Sequence, residues 1–584
     1  MLDRLLDYAR AQSLGAEPGF EPKRVRWALD FASDGRFLGV LPLGDTSDKR
    51  NPGQQFSRCP AWPPARMVAG GLAHPFVETC LVIALLLKEG ATEKELQDAT
   101  TKHLSFVKLM TGASGSIHEL SATVRALGNR GTLNQIRVAL LAAQPRARPT
   151  DKATFRIEGS YPVDTDACHA WWKSHQAQES GPAGGGRKML CLATAMPVVP
   201  LLQPKISGLA DVGGMGMGTS LIGYDKDAFQ SYGLSPSQNG AVSEEAAASY
   251  KAALDHLLDR HSRRLAGAKV AHWFTHSVPP EDDPLEWIET PQEAEQLAAR
   301  QKANELLDSI RTGTRPNLQG NRYYALTISG AAGRAMVRDW MEGQFEDLVR
   351  NVTAWFDDLS IMRRDGSGLA SPPKFMAVLG STVRALDDLA APSVTALWRS
   401  ALTRGPIPGQ FLAQALARAR IDIIEDQNLN HARFGLIKAF HVRQGDSKVN
   451  PYLNEDHPSP AYHCGRLMAV YARLQYAALG DVGAGVVQRF YAAASATPAL
   501  VLGRLARLSQ FHLSKLDPGL ARYFDSKIAN INMRAHMGDR YPAALNLEEQ
   551  SLFALGYYQQ LAADRAPKAA ADETTTPESE ENNV

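Results

Sequence analysis

Apolar residues recur at two different periods along the 584-residue chain, and the change of period divides it. "MLDRLLDYARAQSLG" predicts a short N-terminal helix. "RVRWALDF" and "FLGVLPL" alternate around "ASDGR", the pattern of a β-hairpin with a Gly-containing turn. "NPGQQFSRCPAWPPARM" (51–67) has the Gly and Pro density of an irregular loop, and "HPFVETCLVIALLLKEGATEKELQDATTKHLSFVKLM" returns to helical spacing. "ATFRIEGSYP" predicts a strand and "KMLCLATAMPVVPLL" a buried strand pair, with "SGPAGGGRK" a surface loop between them. Ser243 is placed to cap a helix whose first turn carries Glu244 and Glu245. The acidic, Pro-containing residues 276–295 predict a solvated excursion. "RYYALTISG" predicts a core strand, followed from about Ala331 by a helix running through "FEDLVRNVTAWFDDLSI". That helix would carry Arg334, Arg338 and Trp340, with Trp340 in the core.

After "RRDGSGLASPPKF" (363–375) strand patterning stops. Six segments, among them "GQFLAQALARARIDIIEDQ", "AYHCGRLMAVYARLQYAALG" and "EEQSLFALGYYQQLAADR", place apolar residues at helical spacing. The expected fold class is therefore α+β: a mixed α/β domain over 1–365, an all-α bundle over 366–565, and an acidic tail over 566–584 too poor in large apolar residues to fold.

Composition changes this picture little. Lys and Arg number 63 against 62 Asp and Glu, so no global charge advertises a polyanion partner, and any nucleic-acid surface must be local. The five cysteines (Cys59, Cys80, Cys168, Cys191, Cys464) form no CxxC pair and fit reduced thiols. The amino terminus lacks the apolar run of a secretory signal, and "LVIALLL" (81–87) is far short of the roughly 20 residues of a membrane span. A cytoplasmic location is expected.

Familiar catalytic motifs are missed rather than met. "GGMGMG" (213–218) lacks the GxGxxG spacing, and "GGGRK" lacks the Walker spacing and its Ser or Thr. "IHELSA" has Ala122 where a second zinc-binding histidine would stand, and Ser114 in "TGASGS" is not in a GxSxG elbow. His463 and His512 stand alone. The adjacent acids Asp357 and Asp358 could in principle hold Mg²⁺, although such pairs usually form the solvated edge of a helix. No catalytic constellation, metal site or cofactor is expected.

One segment has chemistry of a different kind. In "PALVLGRLARLSQFHLSKL", Arg504, Arg507, Phe511 and Lys515 fall at steps of three or four, while Leu502, Leu505, Leu513 and Leu516 occupy another sector. From Arg504 to Arg534, six basic residues (Arg504, Arg507, Lys515, Arg522, Lys527, Arg534) stand against two acids, Asp517 and Asp525. Such a face can meet phosphates, or can simply be solvated.

Three blocks resemble a known family, the Csd-type large subunit of the type I-C CRISPR surveillance complex, Cascade. They are "TSLIGYDKDAFQSYGLSPSQNGAVSEEAAASYKAALDHLL" (219–258), "YYALTISGAAGRAMVRDWMEGQFEDLVRNVTAWFDDLSI" (323–361) and "FYAAASATPALVLGRLARLSQFHLSKL" (490–516), with "NHARFGLIKAF" upstream of the last. The similarity runs in register from about residue 20 to 560. It departs at "RMVAGGLAHPFVETC" and at "GGMGMG". The resemblance implies a non-catalytic subunit near the 5′ handle of the CRISPR RNA. Such a subunit reads the protospacer-adjacent motif (PAM) on duplex DNA, helps open the duplex and holds the displaced strand in the R-loop. Its implied partners are the CRISPR RNA, the target DNA, the backbone, handle-binding and small subunits, and a recruited helicase-nuclease.

On that resemblance Lys205, Ser207, Gly213, Gly214, Gly216, Gly218 and Thr219 are expected to approach the PAM duplex, with Gln238 and Asn239 as base-edge or wedge residues. A loop without contacts is the plain alternative. Arg504, Arg507 and Lys515 are expected to track a DNA strand, with Arg433 and Lys438 extending that surface. Met468 would begin a separately translated small subunit, or is simply a core methionine. The competing functions are a structural RNA-binding adaptor of another nucleoprotein complex and, in the enzyme class, a metal-dependent nuclease.

Overall fold

The computed structural model describes residues 1–14, 17, 19–44, 53–62, 67, 71–180, 188–198, 203–224, 228, 233–234, 238–289, 296–425 and 429–567. The fold is α+β, with strands before residue 345 and helices after it. The chain forms two compact units. Met1–Arg260 with Gly330–Ala335 forms the first, and the chain from His261 onward, apart from that insertion, forms the second.

The first unit opens with helix α1 (Leu2–Ala11), followed by β1 (Phe20–Val25), β2 (Trp27–Phe31), β3 (Phe37–Pro42) and β4 (Gln54–Pro60). β2 and β3 form the expected hairpin, while β1 pairs with β4. The loop expected over 51–67 thus contains a strand, because Phe56 and Cys59 bury their side chains when β4 pairs. The main sheet has the order β3-β2-β6-β5, where β5 is Glu78–Thr79 and β6 is Lys152–Ile157. β6 runs parallel to β2 from Trp27↔Ala153 to Phe31↔Ile157. Between β5 and β6 lie α2 (Cys80–Ile83), α3 (Glu93–Ser114), α4 (Leu120–Leu127) and α5 (Arg130–Ala142). The helical spacing after residue 74 is realised chiefly in α3, whose N-terminus is fixed by a capping box between Thr92 and Glu95. Phe106, Met110, Leu120, Ile136 and Leu140 close the core over Trp27, Phe31 and Phe155.

Further along are α6 (Asp166–Ser180), β7 (Met189–Leu190), β8 (Pro197–Val198), β9 (Lys205–Ile206), β10 (Thr219–Ser220) and α7 (Glu244–Arg260). Ser243 caps α7 as expected, its Oγ accepting the Ala246 N–H at 3.1 Å. The buried strand pair expected over 188–202, of which 199–202 lie outside the described residues, is a two-residue ladder with Leu190 and Met196 exposed, since no layer covers it among the described residues.

The second unit begins with β11 (Ser262–Leu265) and β12 (Ala268–Phe274). α8 (Pro284–Glu289) and α9 (Gln296–Arg311) precede β13 (Arg322–Ala331) and β14 (Arg334–Gln344). The residues expected to be a solvated excursion instead place Leu285 and Ile288 in the core, with Asp283 buried 2.8 Å from His272. The helix expected from Ala331 is also corrected. β13 turns at Ala332 and Gly333, both with positive φ, and returns as β14, so Arg334, Arg338 and Trp340 stand on a strand. Ring contacts across three strands override the helix propensity of "GAAGRAM": Tyr324 stacks with both Trp273 and Trp340. Trp340 is half-buried in this ladder.

Helices complete the unit: α10 (Phe345–Leu359), α11 (Phe375–Gly380), α12 (Ala391–Thr403), α13 (Gly409–Ile424), α14 (His431–Arg443), α15 (Pro460–Leu479), α16 (Val486–Ala494), α17 (Pro498–Leu513), α18 (Pro518–Asn532) and α19 (Leu547–Ala563). Leu265, Tyr323, Met341 and Trp355 share one core with these helices, so the compact division falls before β11 rather than at residue 365. The last residues of the acidic tail, 568–584, lie outside the described chain.

α19 is the hub, with every residue from Ser551 to Gln560 buried. It meets α15 backbone to backbone, since a Cβ on Gly465 would overlap the Phe553 carbonyl oxygen and one on Gly556 that of Tyr462. Polar groups in the crossing are paired. Tyr462 donates to Gln559 at 2.5 Å, and Arg466 Nε donates to Gln560 at 2.9 Å. His463 Nε2 lies 2.6 Å from the His457 carbonyl, so it carries the proton and donates; Nδ1, 3.2 Å from the Arg466 guanidinium, accepts.

Gly465→Ala and Gly556→Ala will each destabilise the second unit by about 1–3 kcal/mol or more, read by chemical denaturation, because backbone rather than a flexible side chain must yield. Burial pushes His441 and His463 down to about 4, so both fold in the neutral form. The unfolded chain therefore binds more protons between about pH 6.5 and 4, and stability present above that window falls as pH drops through it, by up to about 1.4 kcal/mol per unit for each group. Denaturation midpoints at pH 7.5 and 5.5 will show the loss, and His441→Gln will reduce it by that group's share, leaving the part due to His463.

Candidate nucleic-acid interface

In the first unit β9 and β10 pair antiparallel, bringing Lys205 opposite Ser220 and Ile206 opposite Thr219. The glycine-rich loop spans the gap between them. Gly213 has φ +87°, and a Cβ there would stand 2.8 Å from the Gly330 carbonyl oxygen. A Cβ on Gly330 would in turn overlap Gly214, and the Ser220 N–H just past the loop donates to the Gly333 carbonyl at 2.9 Å. Gly213 and Gly214 thus pack against residues 330–335, although Gly213 keeps an exposed side and Gly214 is half-buried. Gly218 is buried with φ +96° against Lys205. Thr219 is fully buried, its Oγ1 accepting the Met215 N–H at 3.3 Å, which removes it as a side chain able to touch DNA.

Outward from this base stand Lys205, Ser207 and Gly216, with Met215 and Met217 exposed beside them. The Ser207 N–H is held by Asp255 Oδ1 at 2.7 Å. Asn239 is half-buried in the 3₁₀ turn Gln238–Gly240, and the side chain of Gln238 lies outside the described atoms.

In the second unit α17 presents two faces as its spacing predicts. Leu502, Leu505 and Leu513 are buried and Leu516 is half-buried, while Arg504, Arg507, Phe511 and Lys515 are exposed. Arg504 lies 5.5 Å from the centroid of Phe490. The local positive excess is smaller than the sequence count. Lys527 is paired with Asp564, and Arg534 lies 2.6 Å from Asp456. Among the described residues Arg504, Arg507, Lys515 and Arg522 form no ion pair.

Arg433 and Lys438 do not extend that face. Arg433 is 4% exposed, paired with Asp422 and donating to the Ser381 carbonyl at 2.7 Å. Burial holds its guanidinium below the usual range despite that partner. Lys438, equally interior, donates to the Asp357 carbonyl at 3.1 Å. α14 is buried on nearly all sides, so cations on it must find partners inside the bundle.

The helix after β14 carries the adjacent acids Asp357 and Asp358. Asp358 is buried and bonded to Arg443 Nε at 2.8 Å, so Asp357 and Asp358 are not a solvated pair. Among the described residues no three His, Cys, Asp or Glu side chains gather as a metal site. All five cysteines are buried free thiols, and burial pushes Cys80 and Cys464 up to about 12. Met468 is fully buried in α15.

Sequence reasoning missed a cleft of about 320 Å³ lined by Arg466, Tyr523, Lys527, Asn530, Arg534 and Glu455, among others. Lys527 and Arg534 belong to one stretch, α18 and the turn after it, while Arg466 comes from α15, well before them in the chain. The sequence count includes Lys527 and Arg534, but only the fold brings Arg466 and Glu455 to them.

A family model, CRISPR-associated protein Cas_Csd1, matches residues 3–564. The chain belongs to the CRISPR-associated Csd1 family. This agrees with the three blocks that resemble the type I-C Cascade large subunit. It makes the protein a Cascade-type component of a complex built on CRISPR RNA and other Cas subunits. No curated protein matches the chain. Among the described residues no helix is long and apolar enough to cross a membrane.

The two classes of arginine will separate in stability measurements. Arg433→Ala leaves buried Asp422 short of its main partner and will cost about 3–5 kcal/mol, whereas exposed Arg504→Ala will change stability by less than about 0.5 kcal/mol. Denaturant midpoints of the purified variants check both.

Proposed function

We propose that this chain is the non-catalytic large subunit of its surveillance complex. It reads the PAM on duplex DNA, helps open the duplex, stabilises the R-loop and supports recruitment of a separate helicase-nuclease in the cytoplasm. Its direct partners are the CRISPR RNA near the 5′ handle, the target duplex and displaced strand, and the backbone, handle-binding and small subunits. Base pairing to the guide carries the long sequence information, so the protein need read only a few base pairs and the backbone.

The observation that carries this reading is the outward face of α17, where Arg504, Arg507 and Lys515 stand exposed, without ion pairs among the described residues, beside exposed Phe511, inside a chain of the Csd1 family. Exposed cations next to an aromatic ring suit a strand whose phosphates and bases must both be held. Lys205, Ser207, Gly216 and Asn239 remain the residues proposed to touch the PAM duplex. No cofactor is required. Translation starting at Met468 would supply a small subunit that keeps the α17 face.

The test is binding of the reconstituted complex, with and without this chain, to matched duplexes carrying an intact or scrambled PAM over a range of salt. The chain will confer a PAM-dependent gain. Arg504→Ala with Arg507→Ala will make the salt dependence shallower by about one unit for each phosphate no longer neutralised, without altering PAM preference. A gain that ignores the PAM sinks the recognition role. An unchanged salt slope in the double variant leaves α17 a solvated face.

A further inference from the structure

Residues 120–150 of the first unit hold five arginines (Arg125, Arg130, Arg137, Arg146, Arg148) and not one Asp or Glu, in a chain where bases and acids are otherwise balanced at 63 and 62. Arg125 lies in the last turn of α4, and Arg130 and Arg137 lie on α5. On α5 the buried residues Leu133, Ile136 and Leu140 define one face. Arg130, Asn134, Arg137 and Leu141 fall together on another, at helical steps of three and four. Beyond the helix, Ala147 is buried and its N–H bonds back to the Leu140 carbonyl at 3.1 Å, while Arg146 and Arg148 on either side of it are exposed.

Four other arginines of this unit have acidic partners, Arg10 with Asp7, Arg26 with Asp151, Arg58 with Glu17 and Arg156 with Asp30. None of the five has one among the described residues. Asp151, the nearest acid after the segment, already accepts from Arg26, Trp27 and the Arg148 backbone N–H. All five cations are arginine, the side chain whose planar fork pairs two-fold with phosphate. No Phe, Tyr or Trp occurs between Phe106 and Phe155, so the surface has no platform on which unpaired bases could stack.

We propose that the α4–α5 face and the Arg146–Arg148 segment bind the phosphate backbone of double-stranded DNA, without reading its sequence. This rests on the reading that the chain works on duplex DNA, but not on the PAM assignment or on α17. It gives the first unit a backbone clamp separate from the Lys205 and Asn239 candidates, so phosphate contacts would set register while those residues read base edges.

The experiment uses the reconstituted complex with the wild-type chain, with an Arg125→Ala, Arg130→Ala, Arg137→Ala triple variant, and with the same three positions changed to Lys. Binding to duplexes with intact and scrambled PAM, and to a single strand, is measured across salt. The alanine variant is expected to lose affinity for both duplexes by the same factor, on the order of tenfold or more, with a salt slope shallower by about 0.9 for each phosphate no longer neutralised. The lysine variant is expected to keep most of the slope. If the alanine variant does not enter the complex, single Arg130→Gln and Arg146→Gln exchanges read the same slope one phosphate at a time. An unchanged duplex slope, or a loss confined to single strands or to RNA, overturns the proposal. A wild-type complex that shows no PAM-dependent gain would count against the PAM reading alone, since the slope comparison does not depend on it.

Discussion

Two helix glycines hold the second unit's central crossing at backbone-to-backbone distance. Gly465 on α15 faces the Phe553 carbonyl and Gly556 on α19 faces the Tyr462 carbonyl, so neither helix can move away without opening a void or closer without a clash. This proximity buries α19 on all sides and forces polar side chains into the interior, where Tyr462, Gln559, Arg466 and Gln560 satisfy one another. A third glycine, Gly435 on α14, meets the Leu359 carbonyl at the end of α10 in the same manner. Close packing of this sort ties α10 to the bundle, and with it the sheet that α10 follows.

The crossing also sorts the cations. Where helices are enclosed, as α14 and α15 are, arginines become structural: Arg433 with Asp422, Arg443 with Asp358, Arg466 with Glu455. Arg443 shows how fully such a group is used, since it also donates to the Gly405 carbonyl at 2.9 Å and lies 5.2 Å from the Trp355 ring centre. At the periphery, on α17 and on α4–α5, arginines form no ion pair among the described residues. One near-neutral protein thus carries two arginine populations, one holding helices together and one available to phosphate.

Much of the fold was legible because it follows from local periodicity. The β2–β3 hairpin, the Ser243 cap and the two faces of α17 each depend on residues within a few positions of one another. The readings that failed needed distant partners. "GAAGRAM" has helix-forming residues, yet Trp340 finds Tyr324 and Trp273 across the sheet. Leu285 and Ile288 sit in an acidic segment, yet the second unit's core takes them. The glycines of "GGMGMG" signalled backbone freedom, but only the return of residues 330–335 shows that two of them serve internal packing.

The sequence by itself determined the α+β class, the amphipathic helices and the family, because propensity, spacing and long ordered blocks are properties of the chain alone. Only the tertiary structure decided which charges remain available. Arg433 and Arg504 are the same residue type on helices of similar appearance in the sequence, and one is interior while the other faces solvent. The difference comes from how many sides of a helix its neighbours cover, and for α14 those neighbours include, beside the preceding α13, helices α10 and α19, which reach it from residues far away in the chain.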